Sequence, residues 1–174
     1  MSKKFKTTPS VIIRVAIWIV MLFGGSYYSI SRDIGSEYFS SISFHVASAI
    51  VGIVVIKLAF NAASTGGKEL TKGRVGDIPR LETNQLVTTG IFSCMRHPML
   101  FGLTLLPLGW ALLLGSPTFI TIVAPLEMIF IIVMVLVFEE MEVRTKFGKE
   151  YEEYKAKVPM VNLSKKCLKE LFVR

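Results

Sequence analysis

CMRHPMLFGLTLLPLGWALLLGSP, residues 94–117, places an Arg, a His and a Pro directly before a long apolar run that closes with Gly-Ser-Pro. A Pro suits the first turn of a helix, because the N–H that it lacks has no helical partner there. The stretch therefore predicts an apolar helix that begins near Pro98 and ends in a tight turn at residues 115–117.

The whole sequence is more apolar than an ordinary soluble domain. Of its 174 residues, 52% are hydrophobic and 19% are charged, with a mean hydropathy of +0.54. Four windows approach the roughly 20 apolar residues that cross a bilayer. They are residues 11–30, 42–60, 99–115 and 117–138. The sequence predicts an all-α integral membrane protein with about four transmembrane helices in one domain, residues 1–174.

The first window follows Lys3, Lys4 and Lys6, as in a secretory signal. It is longer than the roughly 7–15 residues of a signal core and lacks a small-residue cleavage site. We therefore expect it to remain as the first helix of an N-terminal two-helix hairpin, residues 1–60.

Basic residues set the expected orientation. If both termini are cytoplasmic, Arg32 alone of the 20 Lys and Arg lies outside, and the net charge of +7 faces anionic lipid. Nucleic acid is not expected as a partner, since no binding module accompanies the charge. Cys94 and Cys167 fall in segments predicted to be cytoplasmic, so no disulfide is expected. Neither cysteine has metal-ligand spacing, and no metal is predicted.

The cytoplasmic segments are expected to form the functional part. Residues 61–98 form a glycine-punctuated linker, which is long for a structureless loop and often functional. Residues 139–159 place Val143, Phe147, Tyr151 and Tyr154 at helical spacing, which predicts an amphipathic helix on the membrane surface. The core is thus residues 61–160, and residues 161–174 form a basic tail that can supply a second surface segment.

The short turn at residues 115–117 predicts an antiparallel hairpin of the third and fourth helices. Arg96 and His97 then lie beside Glu139 and Glu140 at the cytoplasmic edge. Adjacent cationic and anionic groups at the edge of an apolar compartment suit a zwitterionic cofactor and a lipophilic acceptor.

Each of these residues also has a purely structural interpretation. Arg96 can anchor a helix at the interface, His97 can be a hydrogen-bonded side chain, and the two glutamates can begin a solvated helix face. Glu127 lies within the fourth window, where a carboxylate is costly in hydrocarbon and marks a functional site by default. It can instead be protonated and bonded to a neighbouring helix.

LVTTGIFSCMRHPMLFG and EEMEVRTKFGKEYEEYKAKVP, within residues 77–160, together resemble the core of the isoprenylcysteine carboxyl methyltransferases and the related phospholipid methyltransferases. The resemblance implies an integral membrane enzyme that uses S-adenosylmethionine without a Rossmann domain. No G-x-G-x-x-G follows a strand in this sequence, which agrees.

The resemblance also implies which residues bind the cofactor. Backbone groups around Leu86 and Val87 would bind the adenine edge, Arg96 and His97 the methionine carboxylate, and Glu139 the ammonium. Two hydroxyls of the family's pattern are absent, at Phe92 and Leu100. The full set of expected cofactor residues is Gln85, Leu86, Val87, Gly90, Phe92, Arg96, His97, Pro98, Leu100 and Glu139.

The methyl acceptor is left open as an acid, a thiol or an amine. Val135 stands where the eukaryotic isoprenylcysteine enzymes carry an Arg for the substrate carboxylate, so it is expected to contact the acceptor. The reaction implied is in-line displacement of the sulfonium methyl. A carboxylate or thiolate needs no base, whereas an amine must lose a proton, for which Glu140 and Glu127 are the candidates.

Two other functions fit part of the pattern. The C-terminal halves of membrane sterol reductases share a similar RHP and a Tyr-rich ending, which would imply NADPH and hydride transfer. A membrane scaffold without enzymatic activity would leave the polar cluster with a structural role alone.

Overall fold

The computed structural model describes residues 8–76 and 83–172. In this part of the chain every regular element is helical and there is no β-strand, which confirms the all-α prediction. The α-helices are α1 Thr8–Asp33, α2 Ile42–Leu70, α3 Pro98–Leu114, α4 Ala124–Met134, α5 Glu140–Phe147, α6 Lys149–Lys157 and α7 Lys165–Phe172.

Three helices of the described chain are long and apolar enough to cross a membrane. They cover Ile13–Asp33, Ile42–Gly73 and Phe119–Phe147, the last of which joins α4 and α5 into one rod. The third expected window forms α3, an apolar helix of 17 residues. At 1.5 Å per residue α3 is about 25 Å long. The protein is therefore an integral membrane protein with three candidate spans and one shorter apolar helix.

The second helix is longer than the sequence analysis expected. The sequence predicts an apolar span that ends at residue 60 and a linker after it, whereas α2 continues to Leu70 and is followed by a 3-10 turn, Thr71–Gly73. The prediction was wrong because Gly66 and Gly67 were interpreted as helix breakers. A Cβ on Gly66 would lie 2.5 Å from Met99 Cγ, so this glycine lets α2 pass close to the start of α3.

Helices α2 and α3 pack closely through small residues. A Cβ on Gly102 would lie 2.6 Å from the carbonyl oxygen of Ala59, and a Cβ on Gly52 would lie 2.9 Å from the backbone nitrogen of Leu113. Transmembrane helices use small residues in this way, because close backbones gain van der Waals contact that lipid cannot supply. The tight contact fixes the start of α3, which follows Arg96 and His97.

The turn between α3 and α4 is tied to the end of α1. Gly115 ends α3 in the left-handed region, at φ 60°. The buried carboxylate of Asp33 accepts hydrogen bonds from the hydroxyls of Ser116 and Thr118 and from the backbone N–H of Thr118, at 3.1 Å. The carboxylate thereby satisfies donors at the start of the next helix. The structure has the antiparallel α3–α4 hairpin that the sequence predicted.

The rod that follows contains two π-helical segments, Phe119–Val123 and Val135–Glu139. The first lies just before Pro125, which donates no hydrogen bond and whose ring would clash with the carbonyl four residues earlier. The second ends at Glu139. A π turn holds one residue more than an α turn, and it is often found at functional sites. It therefore sets the angular positions of Glu139 and Glu140 on the rod.

The expected single amphipathic helix over residues 139–159 is divided in two. Gly148, at φ 54°, separates α5 from α6. Helix α5 continues the membrane rod, whereas α6 buries Tyr151 and Tyr154.

The basic C-terminal tail packs against the loop that precedes α3. Residues 165–172 form α7, whose buried Cys167 and Leu171 pack against Ile91 and Met95. Cys94 and Cys167 form a disulfide with their Cα atoms 5.7 Å apart. The expectation of no disulfide was therefore wrong. The 73-residue separation of the two cysteines gave no sign that α7 docks on this loop.

Candidate functional site

A cavity of about 230 Å³ lies where the ends of α2, α3 and α5 meet α6 and the loop before α3. Its walls are mostly apolar, and the charged residues among them include Arg96, His97 and Glu139, with His97 directly beside Glu139. The lining residues are Leu70, Thr83, Leu86, Val87, Phe92, Arg96, His97, Pro98, Met99, Leu100, Glu139, Glu142, Val143, Lys146, Phe147, Tyr151 and Tyr154.

A buried ion network centred on Glu140 supports one wall. Oε1 of Glu140 accepts hydrogen bonds from the Arg96 guanidinium and from the Tyr151 hydroxyl, the latter at 3.0 Å. The same oxygen lies 3.1 Å from His97 Nε2, and Oε2 accepts from Lys155 Nζ at 2.5 Å. The side chains of Arg96 and Glu140 are each only 9% exposed. Because its oxygens are engaged by cations and a phenol, Glu140 is poorly placed to accept a proton from a substrate.

His97 lies between two carboxylates. Its Nε2 faces Glu140, and its Nδ1 is 3.7 Å from Glu139 Oε1. Burial by itself would lower the pKa of the imidazole. The hydrogen bonds and negative charges of Glu139 and Glu140 outweigh burial and raise the pKa of His97 above its ordinary value of 6.5. His97 is therefore biased towards its cationic form.

Two tyrosines of α6 connect the network to the loop. The Tyr154 hydroxyl donates to the carbonyl oxygen of Phe92 at 2.6 Å, and the Tyr151 hydroxyl accepts from Arg96 at 2.9 Å. Burial and the hydrogen bond to Glu140 raise the pKa of Tyr151 to about 12, and burial also raises the pKa of Tyr154. Both phenols are thus neutral donors that hold Phe92 and Glu140 in place.

Two charged groups of the cavity wall are only partly engaged by other described residues. The Glu139 side chain is 40% exposed and lines the cavity, in contrast to its buried neighbour Glu140. Arg96 Nε is buried and has no hydrogen-bond partner within the described residues. The cavity therefore combines a carboxylate with an unsatisfied guanidinium N–H, the pair that a zwitterion requires.

The structure brings together most of the residues that the sequence analysis assigned to a cofactor. Gln85 is exposed, and its N–H donates to the Gly73 carbonyl at 3.2 Å. Gly90 lies behind the cavity, against Glu69. The expected residues that line the cavity are Leu86, Val87, Phe92, Arg96, His97, Pro98, Leu100 and Glu139.

Two other expected site residues do not line this cavity. Val135 begins the second π-helical segment and does not line the cavity. Glu127 is buried beside α1, where a Cβ on Gly25 would lie 3.2 Å from its Oε1. Along the rod, Glu127 is about 18 Å from Glu139 at 1.5 Å per residue. The structure does not support Glu127 as a proton acceptor in this cavity.

Several residues of the site were not assigned to it from sequence. Tyr151 and Tyr154 were recognised as part of an apolar face, and Glu69 and Lys155 were not singled out. A signal was present, because buried tyrosines need polar partners for their hydroxyls and the nearby RHP and EE motifs supply them. Leu70 and Thr83 were hidden by the assignment of their segment to a loop.

Comparison with known protein families found a match over more than half of the chain. The profile of the phospholipid methyltransferase family matches residues 44–150. The chain belongs to this family. The matched segment contains α2, the loop, α3 and the rod of α4 and α5, and so most of the cavity. Family membership confirms the resemblance stated from the motifs, and it favours a methyltransferase over the reductase and scaffold alternatives.

The individual proteins that match this phospholipid methyltransferase family chain include three plant enzymes. The probable protein-S-isoprenylcysteine O-methyltransferases of Oryza sativa subsp. indica and subsp. japonica are each 31% identical over 122 residues, 70% of this chain and 61% of theirs. Protein-S-isoprenylcysteine O-methyltransferase B of Arabidopsis thaliana is 29% identical over 117 residues, 67% of this chain and 56% of its own. The matched segment thus spans about three fifths of these relatives. No solved structure matches the chain.

Proposed function

We propose that this protein transfers a methyl group from S-adenosylmethionine to a lipophilic acceptor at the membrane surface. The observation that carries the proposal is the cavity at the ends of the apolar helices, whose mostly apolar walls include the partly exposed carboxylate of Glu139 beside the buried His97 and Arg96. Membership of a methyltransferase family supports the same reaction class.

The residues present fit S-adenosylmethionine. Glu139 would pair with its ammonium and add negative charge near its sulfonium. Arg96 and His97 would attract its carboxylate by their positive charge, since Arg96 Nε has no partner among the described residues and the pKa of His97 is raised. The apolar walls for the adenine would come from Leu86, Val87, Phe92, Pro98 and Leu100, with Gln85 and Gly90 shaping the loop that carries them.

When bound, this cofactor supplies a methyl group on a positively charged sulfur, and the neutral thioether would be a good leaving group. The work left to the protein is to position the acceptor and to exclude water. Burial of the network beneath Arg96 and His97 keeps that wall rigid, and the membrane rod presents the cavity to molecules dissolved in lipid.

The available carboxylates favour an acceptor that needs no deprotonation. Glu140 is engaged by cations, Glu142 pairs with Arg14, and Glu127 lies far along the rod. Glu139 remains, and it is assigned to the cofactor. We therefore propose a carboxylate or thiolate acceptor on a lipophilic molecule, in line with the O-methyltransferase relatives. Val135, one turn before Glu139, is proposed to contact the apolar part of that acceptor.

We also propose that α3 crosses the membrane as a fourth span, with both termini and the cavity on the cytoplasmic side. Residues 1–60 would form an N-terminal hairpin beside the core of residues 61–160. A cysteine at Glu37 should then react with a membrane-impermeant maleimide in intact cells, whereas a cysteine at Glu153 should react after permeabilisation alone. Labelling of the Glu153 position in intact cells would reverse the orientation.

Binding tests the cofactor. Titration calorimetry of the detergent-purified protein should show binding of S-adenosylmethionine and no binding of NADPH. His97→Ala and Glu139→Ala should each weaken binding by about tenfold or more, as expected for loss of a charged hydrogen bond. Unchanged affinity in both variants, or binding of NADPH instead, would exclude the assignment.

The acceptor can be identified with methyl-labelled cofactor and membrane lipid extracts. If the product is a carboxyl methyl ester, alkali should release the label as volatile methanol. A thioether or methylamine product would keep its label under the same treatment. Base-stable label on an amine lipid would contradict the proposed acceptor class.

A further inference from the structure

Glu69 lies beneath the loop that carries two walls of the cavity. It is the penultimate residue of α2 and is 1% exposed. Its Oε1 accepts a hydrogen bond from the Thr89 hydroxyl at 2.8 Å, and its Oε2 is 2.7 Å from Nζ of the exposed Lys72. A buried carboxylate is costly unless it is paired, so these contacts account for its presence.

Two glycines bring this loop into direct contact with the end of α2. Gly90 has φ 54°, and a Cβ there would lie 2.5 Å from the carboxyl carbon of Glu69. On the helix side, a Cβ on Gly73 would lie 2.4 Å from Val87 Cγ2. Neither position has room for a side chain. The loop therefore rests at two points: beside Val87 on the 3-10 turn that follows α2, and just before Phe92 on the end of α2 itself.

The two points are held by different groups. Near Val87, the Gly73 carbonyl accepts from the N–H groups of Asn84 and Gln85, both at 3.2 Å. Near Phe92, Glu69 supplies the acceptor for Thr89. Val87 and Phe92 both line the cavity, whereas Glu69 does not. The carboxylate of Glu69 is therefore connected to these two walls through the loop, by its contacts with Thr89 and Gly90.

We infer that Glu69 is a positioning residue for cofactor binding. Its carboxylate fixes Thr89 and Gly90 and thereby the separation of the Val87 and Phe92 walls. This inference rests on the proposed function. The feature that holds the loop is the acceptor oxygen that Glu69 offers to the Thr89 hydroxyl, 2.8 Å away.

The test compares S-adenosylmethionine affinity in four variants of the full chain by calorimetry in detergent. Thr89→Val removes the donor at nearly constant volume, and we expect it to weaken binding by about fivefold or more, the lower range for coupling between separate sites. Glu69→Ala should weaken it at least as much. Glu69→Gln keeps an acceptor oxygen for Thr89 and should bind within about twofold of the wild type. Glu153→Ala, an exposed residue of α6, is the control and should bind like the wild type.

The thermal midpoint of each ligand-free variant separates positioning from general stability. If Thr89→Val lowers the midpoint but binds S-adenosylmethionine with wild-type affinity well below that midpoint, the inference is overturned. If Glu69→Ala does not fold, Thr89→Val and the rescue by Glu69→Gln decide the question. Failure of the wild type to bind S-adenosylmethionine would instead overturn the proposed function, whereas tight wild-type binding with an unaffected Thr89→Val overturns the positioning role alone.

Discussion

Replacing Glu140 with Ala should cause a large loss of stability, because it removes the acceptor shared by Arg96, His97, Tyr151 and Lys155. Arg96 is 9% exposed at its side chain and would be left as a buried cation without its counter-charge. Breaking a buried ion pair in this way costs about 3–5 kcal/mol. The loss of the Tyr151 hydrogen bond also destabilises the fold, so we expect a decrease of about 4 kcal/mol in the free energy of unfolding.

The assay is equilibrium unfolding in mild detergent, followed by tryptophan fluorescence and circular dichroism. Glu152→Ala is the matched control, because Glu152 also pairs with an arginine, Arg144, at 2.6 Å, but both side chains are exposed. An exposed pair contributes about 0–1 kcal/mol. Each variant therefore removes one Glu–Arg pair; the two differ in the burial of that pair and in the further partners of Glu140.

Glu140→Gln separates charge from shape. It keeps an acceptor oxygen for Tyr151 but removes the negative charge that balances Arg96, so its stability should fall between the wild type and Glu140→Ala. If Glu140→Ala and Glu152→Ala lose the same small free energy, the network does not stabilise the fold and the reasoning from burial fails.

Three further predictions concern pH, the disulfide and helix packing. The pKa of His97 is raised in the folded state, so its protonation stabilises the fold fully below about pH 6.5. This contribution is lost as the pH rises through the higher folded-state pKa. The free energy of unfolding should therefore decline between about pH 6 and about pH 9, and His97→Gln should flatten the decline. Cys167→Ser opens a loop of 73 residues and should lower the free energy of unfolding by about 4 kcal/mol. Reduction of the wild type should have the same effect. An unfolding midpoint that does not change after reduction would contradict this prediction. Gly102→Val should cost about 1–3 kcal/mol in the same unfolding assay, because its Cβ would meet Ala59, whereas Gly24→Val, with open space around it, should cost less.

Much of the fold followed from the sequence because apolar windows and the Gly-Ser-Pro turn are local signals. The antiparallel hairpin placed Arg96 and His97 beside Glu139 and Glu140, and the structure brings these residues together. What local signals missed depends on contacts between distant segments. Gly66 is tolerated in α2 because Met99 approaches it, a fact that no window around Gly66 contains.

The site was predictable to the extent that its residues lie in motifs. The RHP and EE motifs and the LV segment were found, but their partners from α6 and from the end of α2 were not assigned roles. Glu69 is the clearest case, since it was placed in a linker and its partner Thr89 lies 20 residues away. Cys94 and Cys167 show the same limit, because their proximity depends on the docking of α7.

The two adjacent glutamates show how the fold assigns different roles to one residue type. Successive helical residues project about 100° apart, so two adjacent carboxylates on the rod point in different directions. Glu140 meets Tyr151 and Lys155 of α6 and is buried, whereas Glu139 lines the cavity and is 40% exposed. The π turn that ends at Glu139 sets this division, because one residue fewer in that turn would rotate the pair relative to the membrane part of the rod. Arg96 and His97 are then neutralised from behind by Glu140 while Glu139 is left for a ligand. A sequence with one glutamate at this place could balance the buried cations or face a cationic ligand, but it could not do both.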